Sequence, residues 1–191
     1  AMLLSSSSLA NPTGLEIMTK ADQMNRPQYE IATMRMELVS EKNSMLKREL
    51  IWHFRNEGDK RTSLMKFTAP ANIQGVGILV IEEKNTANAI WHYLPASRNV
   101  RRISAEHRQN RFMGTEFVFE DFEGLKLDKY QFVLIGAKEC TQGSHCYVIE
   151  GRATDKEELS SSSYGKKIFW VNQRNDVIVK TEFYDKHDKL I

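Results

Sequence analysis

Two segments near the start of the chain alternate strictly between apolar and polar positions. In SMLKRELIWHF, Leu46, Arg48, Leu50, Trp52 and Phe54 fall on one side, and Lys47, Glu49, Ile51, His53 and Arg55 on the other. In YEIATMRMELVSE, Ala32, Met34, Met36 and Leu38 share a side. A period of two is the mark of a sheet with one covered and one wet face. The Glu41-Lys42-Asn43 turn joins the two segments as a hairpin. Further strands are predicted at Arg61–Thr68, Gly75–Glu83, Ala89–Leu94, Tyr130–Glu139, His145–Ala153, Lys167–Asn172 and Val177–Asp185. Turn signals separate them, among them Asn56-Glu57-Gly58-Asp59, Lys84-Asn85-Thr86 and Arg174-Asn175-Asp176. About nine strands in hairpin order predict an antiparallel meander that curls into a barrel.

Helical periodicity is sparse. Leu15, Met18 and Ala21 approach a three-to-four spacing after Pro12-Thr13-Gly14, which predicts one amphipathic helix that Pro27 ends. A second short helix is predicted within Gly114–Gly124, with Thr115 as its cap and the early acids Glu116, Glu120 and Asp121 suiting its N-terminal half. The polar, serine-rich Asp155–Tyr164 reads as a mobile surface connection.

With 191 residues, 41% apolar and 27% charged, the composition is that of a single globular domain. A net charge of +2 is too balanced to impose a nucleic-acid partner. No run of about 18 apolar residues crosses a membrane as a helix. Residues 1–12 read as a tag scar and signal remnant: Met2-Leu3-Leu4, a serine run and Leu9-Ala10 resemble the end of a secretory signal. The single domain then covers 13–191.

Catalytic chemistry finds no foothold. The five histidines are scattered, no GxSxG elbow or phosphate-cradling glycine loop occurs, and adjacent acids such as Glu82-Glu83 project in different directions. No metal, cofactor or catalytic residue is assigned. Cys140 and Cys146 bracket a turn, Thr-Gln-Gly-Ser-His, between two strands. Their spacing leaves both a cross-hairpin disulfide and two reduced thiols open.

Arg98, Arg101, Arg102, Arg108 and Arg111 crowd one segment, followed by Phe112, Phe117, Phe119 and Phe122. The aromatics follow the arginines and do not interleave with them, unlike the platforms that bind single-stranded nucleic acid. Pairing of Arg101 or Arg102 with Glu116, Glu120 or Asp121 would pin this loop to the short helix. The remaining feature is the apolar inventory: eight Met, nine Phe, three Trp and six Tyr. Methionine adapts to variable apolar partners, and a curled sheet with a greasy face must cover that face or hold a ligand on it. A filled core is the competing reading.

The runs WHYLPASRNVRRIS and FMGTEFVFEDF carry a resemblance. Trp91, Tyr93, Leu94, Pro95, Arg101, Arg102, Ile103, Phe112, Met113, Gly114, Phe117, Glu120 and Asp121 match a pattern of the bacterial outer-membrane lipoprotein-sorting proteins, relatives of the periplasmic carrier LolA. The resemblance extends over nearly the whole chain from about Leu15. It implies a mainly β (α+β) fold, a half-open antiparallel β-barrel of about 9–11 strands wrapped over a few short helices. It further implies a non-enzymatic carrier in a Gram-negative periplasm, its signal cleaved, and it favours a Cys140–Cys146 disulfide. The implied partners are a lipid or acylated lipoprotein, with an inner-membrane exporter or outer-membrane receptor; no nucleic acid is involved and the protein is expected to be a monomer. The alternative is a non-transporting envelope interaction module.

Alternation supplies the lipid-cavity candidates: Leu50, Trp52, Phe54, Ile78, Val80, Trp91, Tyr93, Phe132, Leu134 and Trp170, with Phe112, Met113, Phe117 and Phe119 at the mouth. Arg98, Arg101, Arg102, Arg108 and Arg111 would form the rim or the scaffold beneath it.

Overall fold

The computed structural model describes residues 11–24, 27–39, 42–83, 86–141 and 143–191. The signal-like residues 1–10, Glu41 of the first hairpin turn, Lys84-Asn85 of a later turn and Gln142 between the cysteines lie outside them. The chain divides into two compact units. One takes in the described residues of 1–25 with Leu127–Asp155 and Tyr164–Ile191, the other those of 26–126 with Lys156–Ser163.

The second unit is built on a six-stranded antiparallel sheet in simple chain order. Its strands are β1 (Tyr29–Val39), β2 (Met45–Glu57), β3 (Lys60–Ala69), β4 (Gly77–Glu83), β5 (Ala89–Leu94) and β6 (Asn99–Ile103). Directly opposed residues of an antiparallel pair lie on the same face. The register therefore carries the inward side of β2 across the sheet: Leu50 opposite Phe67, Trp52 opposite Met65, Met65 opposite Ile78, Val80 opposite Ile90, and Ile90 opposite Ile103. Leu50, Met65, Phe67, Ile78, Val80 and Ile90 are buried there together with Phe112, Phe119 and Phe122 from the segment that follows β6. Phe112 anchors this cover. Its ring lies within 5.1 to 6.0 Å of Phe67, His92, Phe119 and Phe122. The unit is completed by α2 (Lys156–Ser161).

The first unit holds a four-stranded antiparallel sheet in the order β10-β9-β8-β7, from β7 (Tyr130–Thr141), β8 (Ser144–Ala153), β9 (Lys166–Asn172) and β10 (Ile178–Tyr184). Helix α1 (Gly14–Met24) packs against β7 and β9. Thr13 and Glu16 start it with a capping box: the Glu16 carboxylate accepts from the Thr13 amide at 2.7 Å, and Thr13 Oγ1 accepts from the Glu16 amide at 3.2 Å. Its buried stripe is Gly14, Ile17, Met18 and Ala21, so the predicted Leu15 faces outward and Ile17 takes its place. Gly14 is where helix meets strand: a Cβ there would sit 2.6 Å from the Phe132 carbonyl oxygen. Cys140 and Cys146 are joined across the β7–β8 hairpin, Cα to Cα 5.7 Å.

The mainly β class and strand number are as the alternation predicts, with ten strands among the described residues. Three local expectations need correction. The arginine segment contains a strand, β6, that pairs with β5. The expected short helix is a single 3₁₀ turn, Phe119–Phe122, whose start is held by the Asp121 carboxylate accepting from the Val118 amide at 2.8 Å. Thr115 instead closes the preceding turn, donating to the Phe112 carbonyl at 2.6 Å. Residues 156–161, expected in a mobile connection, form α2. No helix of the described residues is long and apolar enough to cross a membrane.

Candidate functional site

The inward face of the six-stranded sheet changes character along its width. From β2 to β5 it is filled by the aromatic cover. At the β1–β2 end the same face leaves apolar side chains bare. Leu38 stands opposite Leu46, Met36 opposite Arg48, and Met34 opposite Leu50. Met34 is 43% exposed and Leu46 46%, while Met36 and Leu38 are half-buried. Same-face neighbours along a strand are about 7 Å apart. The four therefore form a continuous apolar strip that runs into the core at Leu50.

Arg48 lies at the inner margin of that strip and is 93% buried by its 7% exposure. Alternation places it inward, so its guanidinium must settle among apolar groups. It lies 5.9 Å from the centre of the Phe67 ring, and Nη2 donates to the Met113 carbonyl at 2.9 Å. Nε and Nη1 are buried without a hydrogen-bond partner, and no ion pair reaches Arg48 among the described residues. Burial with no acid to offset it lowers the affinity of this group for its proton. Farther along the same face, His92 stands opposite Ile78 with its Nε2 buried and unpartnered. Burial first, then neighbouring Arg101, holds His92 below the ordinary histidine range.

A second polar cluster has the opposite character: every charge is matched. Arg108 Nε donates to Glu123 at 2.5 Å, its two terminal nitrogens reach the Glu158 carboxylate at 3.3 Å, and Nη1 also donates to Ser161 Oγ at 2.8 Å. Lys126 closes the group, 2.6 Å from Glu123 and 2.9 Å from Glu158. Buried Glu120 adds a parallel tie, accepting from Ser162 Oγ at 2.9 Å and from the Ser163 amide at 3.2 Å. Burial pushes the Glu158 carboxyl up, but Lys126 and Arg108 outweigh it and hold the group at about 2. These contacts fasten α2 to the loop after β6. They have the closed geometry of a structural clamp.

The predicted site residues scatter accordingly. Leu50, Ile78, Val80, Phe112 and Phe119 are core, and Trp52, Phe54 and Met113 are half-buried. Phe117 is 48% exposed, its ring 6.4 Å from Phe122. Trp91 and Tyr93 take the other face, because Ile90, His92 and Leu94 are the inward residues of β5. The Arg102 guanidinium covers Trp91 at 5.9 Å. Phe132, Leu134 and Trp170 belong to the four-stranded unit. There the register puts Phe132 and Leu134 on one face and Trp170 on the other, with Lys138 and Lys180 over its ring.

Among the arginines, the buried pairing falls to Arg108 with Glu123 and Glu158, in place of the expected Arg101 or Arg102 with Glu116, Glu120 or Asp121. Neither of those two arginines, Arg101 and Arg102, forms an ion pair among the described residues; both are exposed residues of β6. Arg111 meets Glu116 at 3.1 Å in an exposed pair, of a kind that contributes about 0–1 kcal/mol. Arg98 is exposed beyond the Pro95–Ser97 turn, with φ at 50°. Sequence reasoning left the bare strip and Arg48 out of the site. Their signal was present, since the alternation had already put Met34, Met36, Leu38, Leu46 and Arg48 on the apolar sides of their strands. No group of three His, Cys, Asp or Glu residues able to hold a metal occurs among the described residues.

Comparison with known proteins follows the same lines. A family model described as "-like: Uncharacterized protein" matches residues 59–191. No curated protein matches. The crystal structure of an outer membrane lipoprotein-sorting protein domain from Vibrio parahaemolyticus is 30% identical, with 93% of this chain and 74% of that one covered at a TM-score of 0.83. A DUF1329 family protein from Desulfovibrio piger is 26% identical, with 93% and 75% covered and a TM-score of 0.82. A LolA superfamily protein from Nitrosomonas europaea is 23% identical, with 95% and 76% covered and a TM-score of 0.63, a likeness of fold. Antiparallel sheets that do not close, with a few short helices, are consistent with that fold. The chain belongs to the family of outer-membrane lipoprotein-sorting proteins, and its fold is LolA-like.

Proposed function

We propose that this protein is a periplasmic carrier that shelters acyl chains, of a lipid or a lipoprotein, during transfer toward the outer membrane. The observation that carries the reading is the apolar strip of Met34, Met36, Leu38 and Leu46: Met36 packs on the core, while Met34 and Leu46 stand exposed beside it. Each methylene withdrawn from water contributes about 0.8 kcal/mol, so an acyl chain laid on such a strip binds without polar recognition. Two of the four residues are methionines, whose unbranched side chains adapt to chains of differing shape. Family membership agrees, since the similar Vibrio domain is described as lipoprotein-sorting. The carrier reading takes residues 13–191 as one functional domain and assigns it no catalytic residue, cofactor or metal.

The strip can be tested without touching the core. Leu38→Glu with Leu46→Glu is expected to weaken uptake of a fluorescent acyl probe by about tenfold or more. Leu46 is exposed and Leu38 half-buried, so the variant is expected to stay folded, which thermal unfolding checks. Undiminished uptake by the folded double variant would remove the strip from the site.

The filled core between β2 and β5 favours the second reading, an envelope interaction module that carries nothing. On that reading the strip would receive a protein partner, and the acyl probe would not bind even to the unaltered chain.

A further inference from the structure

Resting on the carrier reading, we propose that Arg48 is an anchor for the head group of the cargo, and that the preferred cargo is an acyl amphiphile with an anionic oxyacid head. Three features converge on this one side chain. It is 93% buried, from an exposure of 7%, a degree of burial arginine almost never reaches unless paired. Its Nε and Nη1 are buried donors without a hydrogen-bond partner among the described residues. It stands opposite Met36, between Leu46 and Leu50 on its own strand, at the point where the bare strip enters the core.

Charge matching sharpens the assignment. A buried cation is ordinarily compensated by a buried acid, as Arg108 is by Glu123 and Glu158 in the same unit. Among the described residues Arg48 has no such acid, and its one hydrogen bond goes from Nη2 to the neutral Met113 carbonyl. A carboxylate or phosphate head would supply the absent negative charge. Its oxygens would accept charge-assisted hydrogen bonds from Nε–H and from Nη1–H, which lie on different edges of the guanidinium plane. The acyl chain attached to that head would run outward along Met36, Leu38 and Leu46. The strip alone provides affinity for any greasy chain; Arg48 adds selection by charge.

Three ligands with the same twelve-carbon chain separate head from tail: laurate, lauryl phosphate and neutral monolauroylglycerol, each titrated calorimetrically below its aggregation concentration. The unaltered protein should bind one or both anions at least about tenfold more tightly than the neutral ester. Which anion gains more distinguishes a carboxylate from a phosphate head. Arg48→Met, which keeps the bulk and removes the charge, should erase that preference and leave the affinity for monolauroylglycerol within about twofold.

A structural role for Arg48 would instead weaken all three ligands together. Equal binding of all three by the unaltered protein would overturn the anchor and leave the carrier intact. Binding of none would overturn the carrier, and the anchor with it. Should Arg48→Met fail to fold, head-group discrimination by the unaltered chain decides the matter, and Arg48→Lys should retain a reduced preference for the anions.

Discussion

Replacement of Arg108 by alanine is expected to destabilise the protein by roughly 3–5 kcal/mol, the cost of breaking a buried ion pair from one side. The size follows from what is left behind. Glu123 and Glu158 are 2% and 4% exposed at their side chains, and Lys126 alone would have to neutralise both. Ser161 would also lose the donor to its hydroxyl oxygen. Because α2 is only six residues long, too short to persist by its own propensity, loss of Arg108 should loosen it against the loop after β6, with Lys126 and Glu120 as its remaining ties.

Acid should act on the same group in a predictable direction. The folded-state value of Glu158 lies at about 2, below its ordinary 4.5. Its contribution to stability is therefore complete above about pH 4.5 and is lost as the pH falls toward 2. Urea denaturation at a series of pH values checks both statements. The unaltered protein should lose stability across that window, and Arg108→Ala should lose less there because the pairing is already broken. A loss below about 1 kcal/mol at neutral pH would show that the cluster is solvated and not a clamp.

Phe112→Ala is expected to cost a similar amount, about 3–5 kcal/mol, for a different reason. The Phe112 ring is fully buried and touches four other rings, so its removal leaves a void that the strands beneath cannot collapse to fill. The result also distinguishes core from mouth. A residue at the entrance to a ligand site would alter binding with little change in stability, whereas Phe112 should do the reverse. Thermal unfolding and acyl-probe titration of the same variant give the two numbers. A stable variant with impaired uptake would return Phe112 to the site.

Much of the architecture was legible because one physical signal, alternation, is strong wherever one face of a sheet is covered. It located the β1–β2 hairpin and set the correct sides of both strands. It failed where polar side chains occupy inward positions or bulky ones outward positions. In β5 the aromatics Trp91 and Tyr93 suggested the wrong phase. His92 is the inward residue, packed at 6.0 Å from Phe112, while Arg102 shields Trp91 from outside. Strand β6 was hidden for a related reason: its arginines lie on a sheet edge, where charge is tolerated and discourages pairing with other chains. Helix α2 reads as serine-rich loop because its stability comes from Glu158 and neighbouring Ser162 meeting residues far away in sequence. Arg48 was seen on the apolar side of its strand. Only the structure shows that two of its donors are buried there without partners among the described residues.

The central claim is that an acyl-bearing molecule rides on this protein. Native mass spectrometry of the chain purified from periplasm without detergent, followed by extraction and identification of what it holds, tests that claim most directly. The carrier reading predicts a stoichiometric bound species that releases an acyl lipid or acylated peptide. A clean unliganded mass that stays unchanged after incubation with laurate, phospholipid or an acylated peptide would contradict it and leave the filled, partner-binding module as the function to pursue.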